Sequence, residues 1–406
     1  MPRIAFAWEL GGEFGHAMSC AGLARALSMR GHRIALMFRE LRQLAYHPET
    51  AGYDLFTGPM FPREGAGMVR APASLAEILL GCGYSNRAWL TYALKEWMRL
   101  LGEWRPDIVV SDYAPTALLA ARVLGLPRVS MGISFAVPPP VAPLPPFRFD
   151  EPVPPEAVAA ADAQALANVN AALAEVGAPP LAALHEQFQT DEDFLCTFPE
   201  LDAYGNRPMA RYWGPRFRHD AGASAHWPAG RGTRVLVYVK KELRQLDALI
   251  SLLATGPFRV MAFIPDLDDA RRERLRGPLR VVADKPIRYG PLIPECDLFV
   301  SQAGSAATGL VALGVPQLML PAHYEQYLSA RRIEQLGAGI VLMPHATGQD
   351  VANAMRSMVN EPRFRAAAQA YAKRYPAYSP AEQQRRIVRR IEDILAALPN
   401  AKETRA

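Results

Sequence analysis

The chain alternates short aliphatic runs with helical patterns, and it does so twice. In the first half, the predicted strands are residues 3–7, 33–38, 108–111 and 128–131. In the second half, they are residues 234–239, 258–264, 279–283, 297–301, 317–320 and 339–343. Helical patterns such as 18–30 and 305–313 lie between them. This order is typical of βαβ units, which place parallel strands in one sheet with helices on its faces. We therefore predict an α/β protein.

Length and composition divide this alternation into two Rossmann-like domains. A chain of 406 residues is too long for one ordinary hydrophobic core. We predict a first domain at residues 1–217, a Gly-, Ala- and Pro-rich linker at 218–233, and a second domain at 234–378. A proline-dense segment at 138–155 predicts an extended surface loop. Residues 379–406 are predicted to form a C-terminal helix that returns to the first domain.

Charge and cysteine content argue against several classes of partner. The formal net charge of +5 is mild and spread along the chain, which suits a pocket for an anionic ligand and argues against a nucleic-acid partner. The 4 cysteines have no CxxC spacing, so the sequence predicts neither a zinc site nor a disulfide framework. No apolar stretch reaches the run of about 18 residues that spans a bilayer. We predict a cytoplasmic protein with no bound metal and no transmembrane segment.

A glycine-rich turn, Leu10-Gly11-Gly12-Glu13-Phe14-Gly15-His16, joins the first predicted strand to a helix. In open α/β sheets, ligands bind beyond the carboxyl ends of the strands, and glycines there allow close approach to the backbone. An imidazole is well suited to take a proton from a hydroxyl group near neutral pH. His16 is therefore a candidate general base. The alternative is that His16 caps its helix or fills a pocket.

The second candidate is Asp112, at the end of the buried strand that begins at Ile108. Because His16 and Asp112 both follow strands of one parallel sheet, we expect them at the same edge of that sheet. A carboxylate bound to the far nitrogen of a histidine fixes its tautomer and stabilises the imidazolium. Asp112 is thus a candidate orienting group for the base. The alternative is that Asp112 caps the helix that follows.

A third region carries small residues in a recognisable order. It reads Ser301-Gln302-Ala303-Gly304-Ser305, then Ala312-Leu313-Gly314-Val315-Pro316, Leu320-Pro321, Glu325-Gln326 and Leu336-Gly337-Ala338-Gly339. Together with Gly15-His16, Arg30-Gly31-His32, Asp112 and Tyr212-Trp213-Gly214-Pro215, it spans nearly the whole chain. In order and spacing this set resembles GT-B glycosyltransferases, and more narrowly the UDP-glycosyltransferase and bacterial macrolide-glycosyltransferase group of family 1.

The resemblance implies a fold and a reaction. The fold is GT-B, with two Rossmann-like domains whose parallel sheets face each other across a cleft. The reaction is transfer of a sugar, with inversion, from a UDP- or dTDP-linked donor to a hydroxyl group of a small, fairly apolar acceptor. His16 would deprotonate the acceptor and Asp112 would support His16. No cofactor is implied beyond the nucleotide-sugar co-substrate, and the oligomeric state is left open.

Donor binding is assigned to the second domain. A small-residue turn that opens a helix presents free N–H groups and the positive end of the helix dipole, so Gly304 and Ser305 are candidates to cradle the diphosphate. The resemblance assigns Glu325 and Gln326 to the hydroxyl groups of the sugar. The alternative for this pair is an acid and an amide at a surface helix N-terminus.

Five positions depart from the family pattern. Gln302 replaces a histidine that donates to the diphosphate, and Ala303 replaces a glycine. Gly309, five positions before Gly314, stands where the family has an acid that binds the ribose. Two lysines, Lys240 and Lys241, occupy a turn that is usually small, and they could supply charge to the diphosphate. The alternative is that both lysines are solvated.

Tyr84, Trp89 and Phe135 are candidate contacts for an apolar acceptor. A rival hypothesis is a catalytically silent GT-B homologue that acts as a binding or partner protein. It is favoured by the loss of the histidine and the acid, and disfavoured by the retention of His16 and Asp112. A nucleotide-sugar 2-epimerase would need several acids near the sugar, and a dehydrogenase would need the absent G-x-G-x-x-G spacing.

Overall fold

The computed structural model describes residues 1–11, 14–41, 50, 52–60, 72–148, 152–217 and 222–398. Several predicted features therefore lie outside the described residues: Gly12 and Glu13 of the glycine turn, residues 149–151 of the proline-dense segment, 218–221 of the linker and 399–406 of the C-terminal segment. Within the described ranges, no helix combines the length and the apolar character of a membrane span.

The first sheet has six parallel strands in the order β3-β2-β1-β4-β5-β6. They are β1 (Arg3–Trp8), β2 (Arg33–Phe38), β3 (Asp54–Thr57), β4 (Ile108–Asp112), β5 (Arg128–Gly132) and β6 (Glu192–Leu195). β1 and β4 are buried along nearly their whole length, as expected for central strands covered by helices on both faces. The strand order reverses between β1 and β4, which makes the carboxyl end of this pair the switch point of the sheet.

The helices of this part are α1 (Phe14–Ser28), α2 (Leu75–Leu79), α3 (Arg87–Trp104), α4 (Pro115–Val123) and α5 (Pro155–Ala174). In α3, the apolar residues recur at helical spacing and become the buried face, which includes Leu90, Leu94, Trp97 and Leu101. The side chain of Asn86 starts that helix by accepting a hydrogen bond from the N–H of Trp89.

The second sheet also has six parallel strands, in the order β12-β11-β10-β7-β8-β9. They are β7 (Thr233–Tyr238), β8 (Phe258–Phe263), β9 (Arg280–Ala283), β10 (Leu298–Ser301), β11 (Gln317–Met319) and β12 (Gly339–Val341). The helices after β7 along the chain are α6 (Leu246–Thr255), α7 (Asp269–Leu275), α8 (Ser305–Ala312), α9 (Tyr324–Gln335), α10 (Gly348–Asn360) and α11 (Pro362–Ala372), followed by α12 (Pro380–Ala397), which belongs to the other unit. Here the order reverses between β10 and β7, so this pair ends at the second switch point.

The chain separates into two compact units. Residues 1–214 and 381–406 form the first unit, and residues 215–380 form the second. The last helix, α12, contributes Ile387 and Ile391 to the core of the first unit. Residues 222–233, assigned to the linker from the sequence, lie in the second unit, where the N–H of Ala223 donates to the carbonyl of Pro286.

The predicted α/β class is confirmed, and all six predicted strands of the second half are present. Two strands of the first sheet were missed. Asp54–Thr57 and Glu192–Leu195 are short edge strands that mix polar with apolar residues, so neither has the continuous aliphatic run of a central strand.

Candidate functional site

His16 and Asp112 meet at the switch point of the first sheet. β1 ends at Trp8 and β4 ends at Asp112, and these two residues are register partners. His16 lies in the first turn of α1, and its Nδ1 is 2.9 Å from Oδ1 of Asp112. Because the carboxylate accepts a hydrogen bond there, the neutral ring carries its proton on Nδ1 and Nε2 is the basic nitrogen. The pair has the geometry of a general base and its orienting group.

Asp112 is held on its other oxygen as well. The thiol of buried Cys20, one turn along α1 from His16, donates to Oδ2 of Asp112 at 3.4 Å. The helix after β4, α4, has Ala114 at its N-cap and no side-chain cap. The proposed capping role of Asp112 is therefore not what the structure contains, and its carboxylate is directed at α1 instead.

Aromatic rings flank the imidazole. The indole of Trp8 stacks on His16 with ring centroids 5.8 Å apart and an interplanar angle of 14°. Tyr113 lies tilted beside His16 at 6.3 Å, and Phe135 meets Tyr113 edge-on at 5.1 Å. Tyr113 has a left-handed backbone (φ 51°), and its carbonyl accepts a hydrogen bond from the N–H of Leu10. This contact ties the glycine turn to the end of β4.

The three residues predicted to contact the acceptor occupy different environments. Phe135 contacts the ring of Tyr113, which in turn lies beside His16. Trp89 is half-buried in α3 and packs against Tyr92. Tyr84 is completely buried, and its hydroxyl bonds to Thr116 and to Gln187, so it offers no exposed surface to an acceptor in this structure. Burial also raises the pKa of the Tyr84 hydroxyl.

Glu9 is a buried carboxyl group directly after β1. One oxygen accepts from the indole N–H of Trp97 at 2.7 Å, and the other from the N–H of Thr116, in the first turn of α4, at 2.7 Å. Burial raises the pKa of Glu9 to about 7, although these donors oppose the shift. Arg39 donates to the carbonyls of Glu9 and Gly11. Glu9 and Arg39 thus fix the backbone that leads to His16.

The side chain of Gln302 links the ends of two strands at the second switch point. The backbone N–H of Lys240, after β7, donates to Oε1 of Gln302, after β10, at 3.0 Å. Gln302 is 7 % exposed. Because its carbonyl oxygen faces Lys240, its carboxamide presents the NH2 group on the opposite side. This is a neutral donor at the carboxyl end of a parallel strand.

The first turn of α8 lies next to Gln302. Ala303 takes a left-handed conformation (φ 59°), which an alanine adopts less readily than the glycine of the family pattern. Gly304 and Ser305 are exposed, and a Cβ on Gly304 would meet no atom within 4 Å. The first N–H groups of a helix have no partner within it, so this turn can accept an anion against the backbone.

The other predicted donor contacts lie on neighbouring turns. Lys240 is half-buried and Lys241 is exposed, both after the end of β7. Glu325 is half-buried in the first turn of α9. Gln326 is buried, and its Oε1 accepts a hydrogen bond at 2.8 Å from the N–H of Ala322, two residues before α9 begins, so that side chain fixes the turn that leads into the helix.

The position of the missing family acid is filled by an aromatic ring. Gly309 lies in α8, and a Cβ placed on it would stand 2.0 Å from Cδ1 of Phe217. Phe217 is itself buried. A larger residue at position 309 would therefore collide with this ring.

Sequence reasoning missed Trp8, Glu9 and Phe217. Trp8 and Glu9 stand at the carboxyl end of β1, so the strand-end argument that found Asp112 could have found them. Phe217 has no local signal, because its contact with Gly309 joins positions far apart in the chain.

Comparisons with known proteins cover different shares of the chain. Residues 259–392 match the family model of the erythromycin biosynthesis protein CIII-like C-terminal domain. The TDP-daunosamine transferase DnrS of Streptomyces peucetius is 35% identical over 127 residues, which are 30% of this chain and 29% of that protein. The demethyllactenocin mycarosyltransferase of Streptomyces fradiae is 25% identical over 387 residues, covering 86% of this chain and 78% of that protein.

Solved structures share the fold along nearly the full length. The spinosyn rhamnosyltransferase SpnG aligns with a TM-score of 0.69 at 20% identity, over 97% of this chain and 100% of that chain. SpnG has also been solved with the spinosyn aglycone and with thymidine diphosphate, and those structures align with TM-scores of 0.66 and 0.65. The GT-B fold and the resemblance to family 1 macrolide-type glycosyltransferases are confirmed.

Proposed function

We propose that this glycosyltransferase moves a sugar from a nucleoside diphosphate donor, preferentially dTDP-linked, to a hydroxyl group of an apolar, polyketide-type acceptor. The reaction proceeds with inversion at the anomeric carbon and needs neither a metal nor a cofactor beyond the donor. The observation that carries the proposal is the 2.9 Å hydrogen bond between His16 and Asp112 at the switch point of the first sheet.

The first unit supplies the base. Nε2 of His16 takes the proton of the acceptor hydroxyl as its oxygen attacks the anomeric carbon. The bond between that carbon and the diphosphate oxygen breaks in the same displacement, and its electron pair leaves with the diphosphate. Attack from the face opposite the leaving group inverts the carbon. Asp112 holds Nδ1–H and stabilises the imidazolium that forms.

The second unit stabilises the leaving group. The N–H groups around Gly304 and Ser305 and the NH2 group of Gln302 are donors for the developing negative charge on the diphosphate. Lys240 and Lys241 add positive charge after the end of β7. Glu325 is proposed to bind hydroxyl groups of the sugar, and Gln326 to hold the turn before α9, since its side-chain carbonyl accepts from the N–H of Ala322.

The names of the relatives support the substrate class. DnrS is a transferase of a TDP-linked sugar, and SpnG is a rhamnosyltransferase solved with thymidine diphosphate and with a spinosyn aglycone. The aromatic chain from Trp8 through Tyr113 to Phe135 gives the base an apolar surrounding, which suits an apolar acceptor.

The decisive experiment compares His16→Ala, Asp112→Asn and a control, His345→Ala, which changes an exposed histidine of the second unit. Release of nucleoside diphosphate from a dTDP-sugar is followed with a panel of polyketide aglycones. We expect His16→Ala to lower turnover by about two to four orders of magnitude with unchanged nucleotide binding, and Asp112→Asn to lower it less. Full turnover by His16→Ala would refute the assignment. Nucleotide binding without transfer by the unaltered protein would favour a silent partner protein.

A further inference from the structure

We propose that Trp8 is a positioning residue for the reaction, and that its indole face stabilises the protonated form of His16. The inference rests on the proposed function, because it concerns the base of that reaction. It assigns a role to a residue that is not among the candidate site residues of the sequence analysis.

The geometry places the indole against one face of the imidazole. The two ring planes are nearly parallel, at 14°, with centroids 5.8 Å apart. This separation is within the range in which a cation is attracted to an aromatic face. Trp8 ends β1 as the register partner of Asp112. His16 therefore meets the carboxylate at its Nδ1 edge and the indole on its face.

The indole is fixed before the reaction begins. Its Nε1–H donates to the carbonyl of Leu10 at 2.6 Å, and its ring meets Phe38 edge-on at 5.9 Å. Trp8 is only 4 % exposed. A ring held on two sides and shielded from water needs no reorganisation when the neighbouring imidazole gains its charge.

The stacked indole distinguishes the two protonation states of His16. The negative π face of tryptophan attracts an imidazolium more strongly than a neutral imidazole, and tryptophan does so better than phenylalanine. The indole therefore favours the transfer of the acceptor proton to His16. It does so without adding a second carboxylate, which would hold the ring permanently protonated.

Within the part of the chain that the structure describes, a substitution at Trp8 leaves the titratable and charged groups around His16 unaltered. Asp112 bonds to Nδ1, Cys20 bonds to Asp112, and Tyr113 lies beside the ring. Glu9 and Arg39 hold the turn that leads to His16. A change at Trp8 alone removes the stacked face while these groups remain.

The experiment compares Trp8→Phe with Trp8→Leu. Both variants lose the hydrogen bond to Leu10, and only the phenylalanine keeps an aromatic face. We expect the acidic limb of the kcat/KM profile to move to lower pH in the order Trp, Phe, Leu, by about one pH unit for Leu, with kcat reduced about tenfold. Trp227→Leu, which removes an indole that donates to the carbonyl of Leu292 in the second unit, is the matched control and should leave the acidic limb in place.

An NMR titration of the His16 imidazole provides a readout without turnover. We expect the same order of midpoints, Trp above Phe above Leu, in protein whose thermal unfolding remains cooperative. Equal midpoints in the folded Phe and Leu variants would overturn the role of Trp8. If His16→Ala retains full turnover while the midpoints still follow this order, the proposed function fails and the coupling between Trp8 and His16 stands.

Discussion

Gly11 leaves open the space against the basic edge of His16. A Cβ placed on Gly11 would stand 2.9 Å from Nε2 of His16 and 3.3 Å from Cδ1 of Tyr113. The backbone at Gly11 is also left-handed, at φ 80°, and its carbonyl accepts from Arg39. Glycine is therefore required here for two separate reasons, one conformational and one steric.

Gly31 is a control that has the conformational requirement without the steric one. Its φ is 91°, and a Cβ there would meet no atom within 4 Å. Gly11→Ala and Gly31→Ala should each cost about 1 kcal/mol of unfolding free energy from backbone strain. Only Gly11→Ala should also displace His16, and we expect its kcat/KM to fall by about a hundredfold. Denaturant unfolding and steady-state kinetics of both variants test this. Equal activity losses would show that the steric contact is irrelevant.

Gln302 offers a test of diphosphate binding. Gln302→Glu keeps an oxygen for the N–H of Lys240 and replaces the NH2 donor with a negatively charged oxygen. We expect the affinity for nucleoside diphosphate to fall by about tenfold or more, while the affinity for the nucleoside stays the same. Calorimetry with both ligands measures the difference, and Gln349→Glu, at an exposed position of α10, is the matched control. A parallel loss for both ligands would place Gln302 away from the diphosphate.

The two lysines after β7 lead us to expect that binding of nucleoside diphosphate depends on salt. If Lys240 or Lys241 pairs with the diphosphate, changing that residue to alanine should weaken binding of nucleoside diphosphate several-fold and leave the nucleoside unaffected. Raising the ionic strength should shrink the gap between variant and parent, because partly exposed charges are screened. Equal weakening of both ligands at every salt concentration would return both side chains to the solvated surface.

Much of this architecture follows from local patterns, and the remainder from contacts between distant positions. The strands of the second sheet were predictable because buried parallel strands are continuous aliphatic runs. The proximity of His16 and Asp112 was predictable because the carboxyl ends of parallel strands meet at one edge. The stacking of Trp8 on His16 and the hydrogen bond from Ala322 to Gln326 depend on side-chain directions that periodicity does not specify. Tyr84 was a candidate contact for the acceptor, and its burial comes from the packing around Thr116 and Gln187.

Glu9 predicts how stability changes with pH. Its pKa is raised from 4.5 to about 7 on folding, so the folded protein holds this proton more tightly than the unfolded chain. The contribution of protonated Glu9 to the free energy of unfolding is therefore fully present below pH 4.5 and is lost as pH rises to about 7. We expect a loss on the order of 3 kcal/mol across this window. Urea unfolding at several pH values should show that Glu9→Gln removes this slope, whereas a control at exposed Glu175 retains it.

The contact between Phe217 and Gly309 predicts which nucleotide binds. In the family pattern, an acid at position 309 would accept hydrogen bonds from the ribose, and a site of that kind rejects a ligand that lacks the hydroxyl. Here a Cβ at position 309 would stand 2.0 Å from the Phe217 ring, so no such carboxylate fits. An apolar ring gives no hydrogen bond to a 2′-hydroxyl and leaves it unpaired when water is excluded.

We therefore expect dUDP and dTDP to bind at least as tightly as UDP, in calorimetric titrations under one condition. Two variants extend the comparison. Gly309→Asp alone should lower the midpoint of thermal unfolding, because its side chain collides with Phe217. Phe217→Ala combined with Gly309→Asp should relieve that collision. If position 309 faces the ribose, the double variant gains a preference for UDP over dUDP, because the new carboxylate can accept from the 2′-hydroxyl. A clear preference for UDP in the unaltered protein would mean that another group already reads that hydroxyl, and the deoxyribose assignment would then be abandoned.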